Sequence, residues 1–172
     1  MPTPFVRSLF LGSVVALSAV GAARCGVFMH SHPIPGVPEI TADALTDKWP
    51  GWQLAPAASA ACAGAMTGPV ITGDFDGDGV QDLAVMITVK GAPHLAVVLG
   101  REAAPVPHEL ELPAGGAIPA LALHKRGTRY RTTAMTVSDY LVADALATDT
   151  CGATGEMWLW MGDNFQRMPL AK

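Results

Sequence analysis

Residues 73–89 read GDFDGDGVQDLAVMITV, an Asp-rich loop that runs directly into a stretch of apolar residues. Its four carboxylates belong to Asp74, Asp76, Asp78 and Asp82. Four negative charges on so short a span repel one another unless a cation neutralises them. Oxygen ligands suit a hard divalent cation, Ca²⁺ before all others. The stretch therefore predicts a calcium loop that leads into a β-strand.

The spacing of the loop indicates how a cation would be held. A tightly curled loop can aim three alternating carboxylates at one point, and a main-chain carbonyl and a fourth carboxylate can complete the shell. The candidate ligands are Asp74, Asp76, Asp78, the Val80 carbonyl and Asp82. Gly77 and Gly79 permit the positive φ angles of such a curl. An EF-hand is excluded, because its position 12 would be Val85 instead of Glu.

The loop resembles the calcium-loop repeat of the FG-GAP and VCBS families, roughly G-D-x-[DN]-G-D-G-x-x-D-[LY]-x-V between two strands. Residues 73–85 follow that pattern position by position, and residues 94–100 resemble the strand that comes after it. The resemblance implies Ca²⁺ bound by the five ligands named above. It covers residues 72–100 in a single copy, and a complete propeller, which needs several stacked repeats, is excluded. An ordinary Asp/Gly turn without metal is the alternative.

The first 23 residues have the features of a secretory signal peptide. Arg7 precedes an uncharged, largely apolar stretch over residues 8–23, and the small residues 21–23 suit a cleavage site. The segment is short for a membrane span, and an uncleaved anchor is the alternative. Arg24 in front of Cys25 argues against lipidation. We therefore predict a periplasmic or secreted protein with no stable membrane span after signal cleavage.

Export also permits disulfides. We predict a disulfide between Cys62 and Cys151, because both residues flank predicted strands. Cys25 would then be unpaired. Three free cysteines are the alternative. Without residues 1–23 the chain has 149 residues, of which 10 are basic and 15 acidic. This acidic balance argues against nucleic-acid binding, and the length fits one domain.

The remaining pattern predicts a mainly β fold, a small antiparallel sheet or meander with one short N-terminal helix and the calcium hairpin loop. A Pro-rich linker covers residues 24–40, and a single domain covers residues 41–172, beginning with a helix over 42–48 that Thr41 caps. Apolar alternation predicts strands near 83–89, 94–100, 109–112 and 121–123, and a terminal hairpin over 157–170. Both faces of 83–89 are apolar, so this strand should be central. We expect six to eight strands in total.

Two further groups of residues suggest other functions. His94, His108 and His124 lie at or beside strand ends and would form a metalloenzyme or hydrolase site if they converged on a carboxylate. Trp158 and Trp160 share one strand face and would form a platform for carbohydrate or envelope binding if exposed, or core packing if buried. No nucleophile motif is present in residues 24–172. The sequence favours a calcium-binding domain that binds or scaffolds an unknown protein or glycan partner, not an enzyme.

Overall fold

The computed structural model describes residues 34–56, 68–101, 103–112, 118–149 and 155–171. The predicted signal peptide, Cys25 and the predicted Cys62–Cys151 bridge lie outside these residues. The described elements are, in chain order, α1 (Glu39–Lys48), β1 (Gln53–Leu54), β2 (Val70–Gly73), β3 (Asp82–Val89), β4 (Ala92–Val98), β5 (His108–Leu110), β6 (Ala120–His124), β7 (Arg129–Tyr130), β8 (Asp139–Tyr140), β9 (Ala145–Asp149), β10 (Glu156–Trp160) and β11 (Phe165–Pro169). Strands dominate and all pairings are antiparallel, so the predicted mainly β fold is confirmed.

The first sheet is built around β3. One edge of β3 pairs with β4 along residues 83–89, and β4 pairs in turn with β5. The other edge pairs with β2 at residues 82–85 and then with β1 at residues 87–88, so two short strands share it end to end. Between them, the Met86 N–H donates to Pro69 O and the Met86 carbonyl accepts the Ala55 N–H. The strand predicted to be central is therefore central.

The second sheet has the order β11-β10-β9-β6, and β7 and β8 form a separate two-stranded ribbon. The described residues thus hold eleven strands, more than the six to eight expected. The excess comes from two-residue strands and from β9, none of which carries the alternating apolar pattern used to predict strands. The predicted terminal hairpin is present as β10 and β11, paired from Glu156↔Pro169 to Trp160↔Phe165.

Buried apolar side chains form three clusters, one between the two sheets and one on the outer face of each sheet. The inner core lies between the two sheets and contains Ala84, Met86, Leu95, Val97, Leu121, Leu146 and Trp158, among others. The helix-side core joins α1 to the opposite face of the first sheet and contains Leu45, Trp49, Trp52, Leu83, Val85 and Ile87, among others. The outer core covers the far face of the second sheet, where Met157 and Ala147 pack with Leu141 and Tyr130 from the ribbon region. Because consecutive β3 residues alternate between two cores, this strand is buried on both faces.

Helix α1 begins earlier than the sequence predicts. Its N-cap is Pro38, whose carbonyl accepts the N–H groups of Thr41 and Ala42, and no side chain caps it. Thr41 is a buried residue inside the helix, so its predicted capping role is wrong. The helix thus includes residues 39 and 40 of the predicted linker. Within the described ranges, no helix is both long and apolar enough to cross a bilayer.

Candidate metal centre

The Asp-rich loop connects β2 to β3 and is held in place by an apolar anchor. Phe75 is 1% exposed and belongs to the inner core, although acidic residues flank it on both sides. Gly77 and Gly79 have φ angles of 79° and 86°, as the predicted curl requires. A side chain on Gly77 would also meet the Ala143 side chain at 3.3 Å, so the loop lies close to the segment before β9. The loop is therefore fixed from the core side and from the second sheet.

The curl brings three of the predicted ligands together. Asp74, Asp76 and Asp78 each have one carboxylate oxygen within 4.8 Å of the others. Within the described part of the chain, no other group of three His, Cys, Asp or Glu residues is close enough to hold a metal. Each carboxylate also accepts one backbone N–H of the loop: Gly79 N donates to Asp74 Oδ2 at 3.2 Å, Asp78 N to Asp76 Oδ1 at 3.1 Å, and Val80 N to Asp78 Oδ1 at 2.7 Å. One oxygen of each residue thus shapes the loop.

Two of the remaining carboxylate oxygens are buried and accept no hydrogen bond from the described residues. Asp74 Oδ1 and Asp76 Oδ2 are inaccessible to solvent, and among the described residues neither accepts a hydrogen bond. Asp76 Oδ2 lies 3.1 Å from Arg101 Nη1, in an ion pair whose angle does not make a hydrogen bond. The Asp76 side chain is fully buried, whereas that of Arg101 is 45% exposed. A buried carboxylate oxygen without a donor is costly, so this site is suited to a cation.

Asp82 lies outside the group of three. Its side chain is buried, Oδ2 accepts the Phe75 N–H at 2.7 Å, and Oδ1 accepts the Gly100 N–H at 2.8 Å. Burial raises the pKa of Asp82, against the opposing effect of these two donors. In this structure Asp82 clamps the loop to the end of β4, and its role as a ligand stays a prediction. The ligand role of the Val80 carbonyl stays a prediction.

Sequence reasoning missed Asp144, which joins the loop to the second sheet. Its Oδ2 accepts the Asp74 N–H at 3.1 Å, and its own N–H donates to Asp74 O at 2.9 Å. Lys125 Nζ and Arg126 N also donate to it, each at 2.9 Å. Burial disfavours the charged form of Asp144, but the Lys125 ammonium and the backbone donors outweigh it and lower the pKa. These partners lie 18 to 70 residues away along the chain, so no local pattern could reveal the contact.

The three histidines do not converge. His94 lies on the helix-side face of β4, where its Nδ1 is 2.8 Å from Glu109 Oε1. His108 lies on the opposite face of the first sheet, with its ring centroid 5.4 Å from that of Trp160. His124 ends β6 of the second sheet. The hypothesis of a histidine-based metalloenzyme or hydrolase site is therefore not supported by the fold.

The two tryptophans of β10 differ in burial. Trp158 is 2% exposed and belongs to the inner core, so its ring face is not available to a ligand. Trp160 is half-buried at the rim of the same core, and its ring centroid lies 5.0 Å from that of Phe165. A paired aromatic platform is thus absent from this strand, and core packing is the role of Trp158.

Comparison with known proteins gives no match to this chain among family models, curated proteins or solved structures. The resemblance to FG-GAP and VCBS repeats therefore rests on the residues of the loop.

Proposed function

We propose that this protein is an exported calcium-binding β-domain, in which one Ca²⁺ stabilises the loop of residues 74–82. Its role is to bind or scaffold a protein or glycan partner in the periplasm or outside the cell. Three carboxylates that approach within 4.8 Å support this proposal. The observation that carries it is the burial of Asp74 Oδ1 and Asp76 Oδ2 without a hydrogen-bond donor among the described residues. A bound cation would neutralise Asp74 Oδ1 and would compensate the charge of Asp76 Oδ2 in place of its ion pair with Arg101.

Calcium is favoured over other metals by the chemistry of the donors. All three residues offer carboxylate oxygens, which hard cations prefer. Ca²⁺ tolerates irregular and flexible coordination, whereas Mg²⁺ demands near-octahedral geometry and gives up its water reluctantly. The exposure of Asp78 leaves room for water to complete the shell. Extracellular modules commonly bind calcium with dissociation constants of about 10⁻⁴–10⁻³ M, which fits an exported protein.

The first test is thermal unfolding of the purified protein in chelator and in excess Ca²⁺. Ligand at 100 times its dissociation constant stabilises the native state by about 2.7 kcal/mol, which corresponds to a rise in Tm of roughly 5–10 °C. We expect this rise in the parent, a much smaller rise in Asp76→Asn and Asp78→Asn, and a smaller effect of Mg²⁺ than of Ca²⁺.

Asp163→Asn is the matched control, because it removes an exposed carboxylate from the turn between β10 and β11. It should retain the full calcium response. A parent Tm that calcium does not change would refute the structural calcium site. An equal response in Asp78→Asn and Asp163→Asn would mean that calcium acts elsewhere.

A further inference from the structure

Arg101 occupies a position that links the acidic loop to the end of β4. It follows Gly100, whose N–H donates to Asp82 Oδ1, and its Nη1 lies 3.1 Å from Asp76 Oδ2. The Asp76 side chain is fully buried. A guanidinium is always charged and weakly hydrated, so it can neutralise a buried carboxylate where no other donor reaches it.

The same guanidinium faces the ring of Trp160 in the second sheet. Arg101 Cζ lies 5.9 Å from the ring centroid of Trp160, within the range of a cation–π contact. Trp160 in turn packs edge-on against His108 and Phe165. Arg101 therefore lies between the candidate metal ligands and a ring whose fluorescence depends on its surroundings.

We propose that Arg101 is a built-in competitor of the bound cation, which sets the affinity of the site. This inference rests on the proposed calcium function. Without metal, Arg101 neutralises Asp76 Oδ2. When Ca²⁺ binds, it takes that oxygen, and the half-exposed guanidinium moves toward solvent, where its charge is hydrated. Each binding event must displace this ion pair, so calcium binds more weakly than three carboxylates alone would allow.

Calcium titrations of Arg101→Gln and Arg101→Lys by calorimetry test the proposal. Removing the competing charge next to a divalent ion should tighten calcium binding roughly tenfold in Arg101→Gln. Arg101→Lys keeps the charge and should stay close to the parent. Arg129→Gln is the control for net charge, since it removes a basic residue from the exposed part of β7 and should leave the affinity unchanged.

A second readout separates competition from a purely structural role. In chelator, Arg101→Gln should unfold at a lower temperature than the parent, because Asp76 loses its counter-charge. In calcium the difference in unfolding temperature between Arg101→Gln and the parent should become smaller or change sign. Calcium should also change the tryptophan emission of the parent, and Trp160→Phe or Arg101→Gln should remove most of that change. An unchanged parent emission on saturation would overturn the displacement of Arg101.

The outcomes distinguish this inference from the proposed function. If the parent binds calcium and Arg101→Gln binds it equally or more weakly, competition by Arg101 is refuted and the calcium function stands. If neither protein binds calcium, both are refuted. If Arg101→Gln alone binds, Arg101 is confirmed as the competitor, and the parent does not use calcium as a structural ion.

Discussion

At the scale of single residues, Asp82 differs most from what its motif implies. The pattern places it among the calcium ligands, but both of its oxygens accept backbone N–H groups, from Phe75 and from Gly100. Gly100 comes 18 residues later and is brought near by the β3–β4 pairing. A side chain there would overlap the Gln81 carbonyl, so the two chain segments are in direct contact. The motif alone cannot tell a metal ligand from such a clamp.

The prediction at this scale is that Asp82→Asn destabilises the protein with or without calcium. An amide offers one acceptor oxygen in place of two, so one of the two N–H groups loses its partner. We expect the free energy of unfolding to fall by about 1–3 kcal/mol in chelator and in calcium alike, measured by urea denaturation. Asp139→Asn is the control, since the Asp139 side chain is exposed and accepts the N–H of Tyr140, the next residue. A loss confined to calcium would instead make Asp82 a ligand, as the resemblance implies.

At the scale of elements, the strand β3 was the most predictable part of the chain. Leu83, Val85 and Ile87 alternate with Ala84 and Met86, and the two sets enter different cores. Apolar residues on both faces indicated a central strand, and the pairing confirms it. Periodicity succeeds here because both faces are dry, so the pattern reports burial directly.

Other elements carry no such signal. Strand β9 reads Ala-Leu-Ala-Thr-Asp, with only one β-branched residue, and it becomes a strand because β10 and β6 pair with it on both edges. Asp139 and Tyr140 form β8 through pairing with Arg129 and Tyr130 of β7. In both cases distant partners decide the local structure. The approach of the three loop carboxylates was predictable from their spacing, whereas Arg101 and Asp144 reach the loop only through tertiary contacts.

The helix α1 gives the prediction at this scale. Leu45 is fully buried between the helix and the first sheet, so Leu45→Ala should lower the free energy of unfolding by about 2–5 kcal/mol. Asp43→Ala, on the exposed side of the same helix, should change it by less than about 0.5 kcal/mol. Urea denaturation, monitored by tryptophan emission, measures the free energy of unfolding of both variants. Equal stability of the two variants would show that α1 is not part of the cooperative core.

At the scale of the whole molecule, the layers explain why the three histidines do not converge and why Trp158 is buried. A sheet separates His94 from His108, and the second sheet carries His124. The alternation along each strand decides on which face of its sheet a side chain lies. Which of these faces come into contact depends on how the two sheets stack. The sequence predicts the alternation but not the stacking. For this reason the fold class was predictable and the convergence of distant side chains was not.

The predicted Cys62–Cys151 bridge also belongs to this scale, because it would join the chain before β2 of the first sheet to the chain between β9 and β10 of the second. By the chain-entropy estimate, a disulfide that closes a loop of about ninety residues stabilises the native state by about 4.6 kcal/mol. We therefore expect a reducing agent, Cys62→Ser and Cys151→Ser to lower Tm by similar amounts, and Cys25→Ser to leave it unchanged. Peptide mapping without reduction identifies the pair directly, and a bridge that includes Cys25 would contradict the prediction.

The shared edge of β3 has one more consequence. Both β1 and β2 take their register from β3, and their hydrogen bonds meet at the single residue Met86. The register of each strand therefore does not depend on the length of the chain that joins β1 to β2. By the polymer estimate of loop closure, each doubling of a loop's length adds only about 0.6 kcal/mol. In evolution or in engineering, the chain between β1 and β2 can therefore gain a long insertion, even a whole accessory module, without changing the sheet.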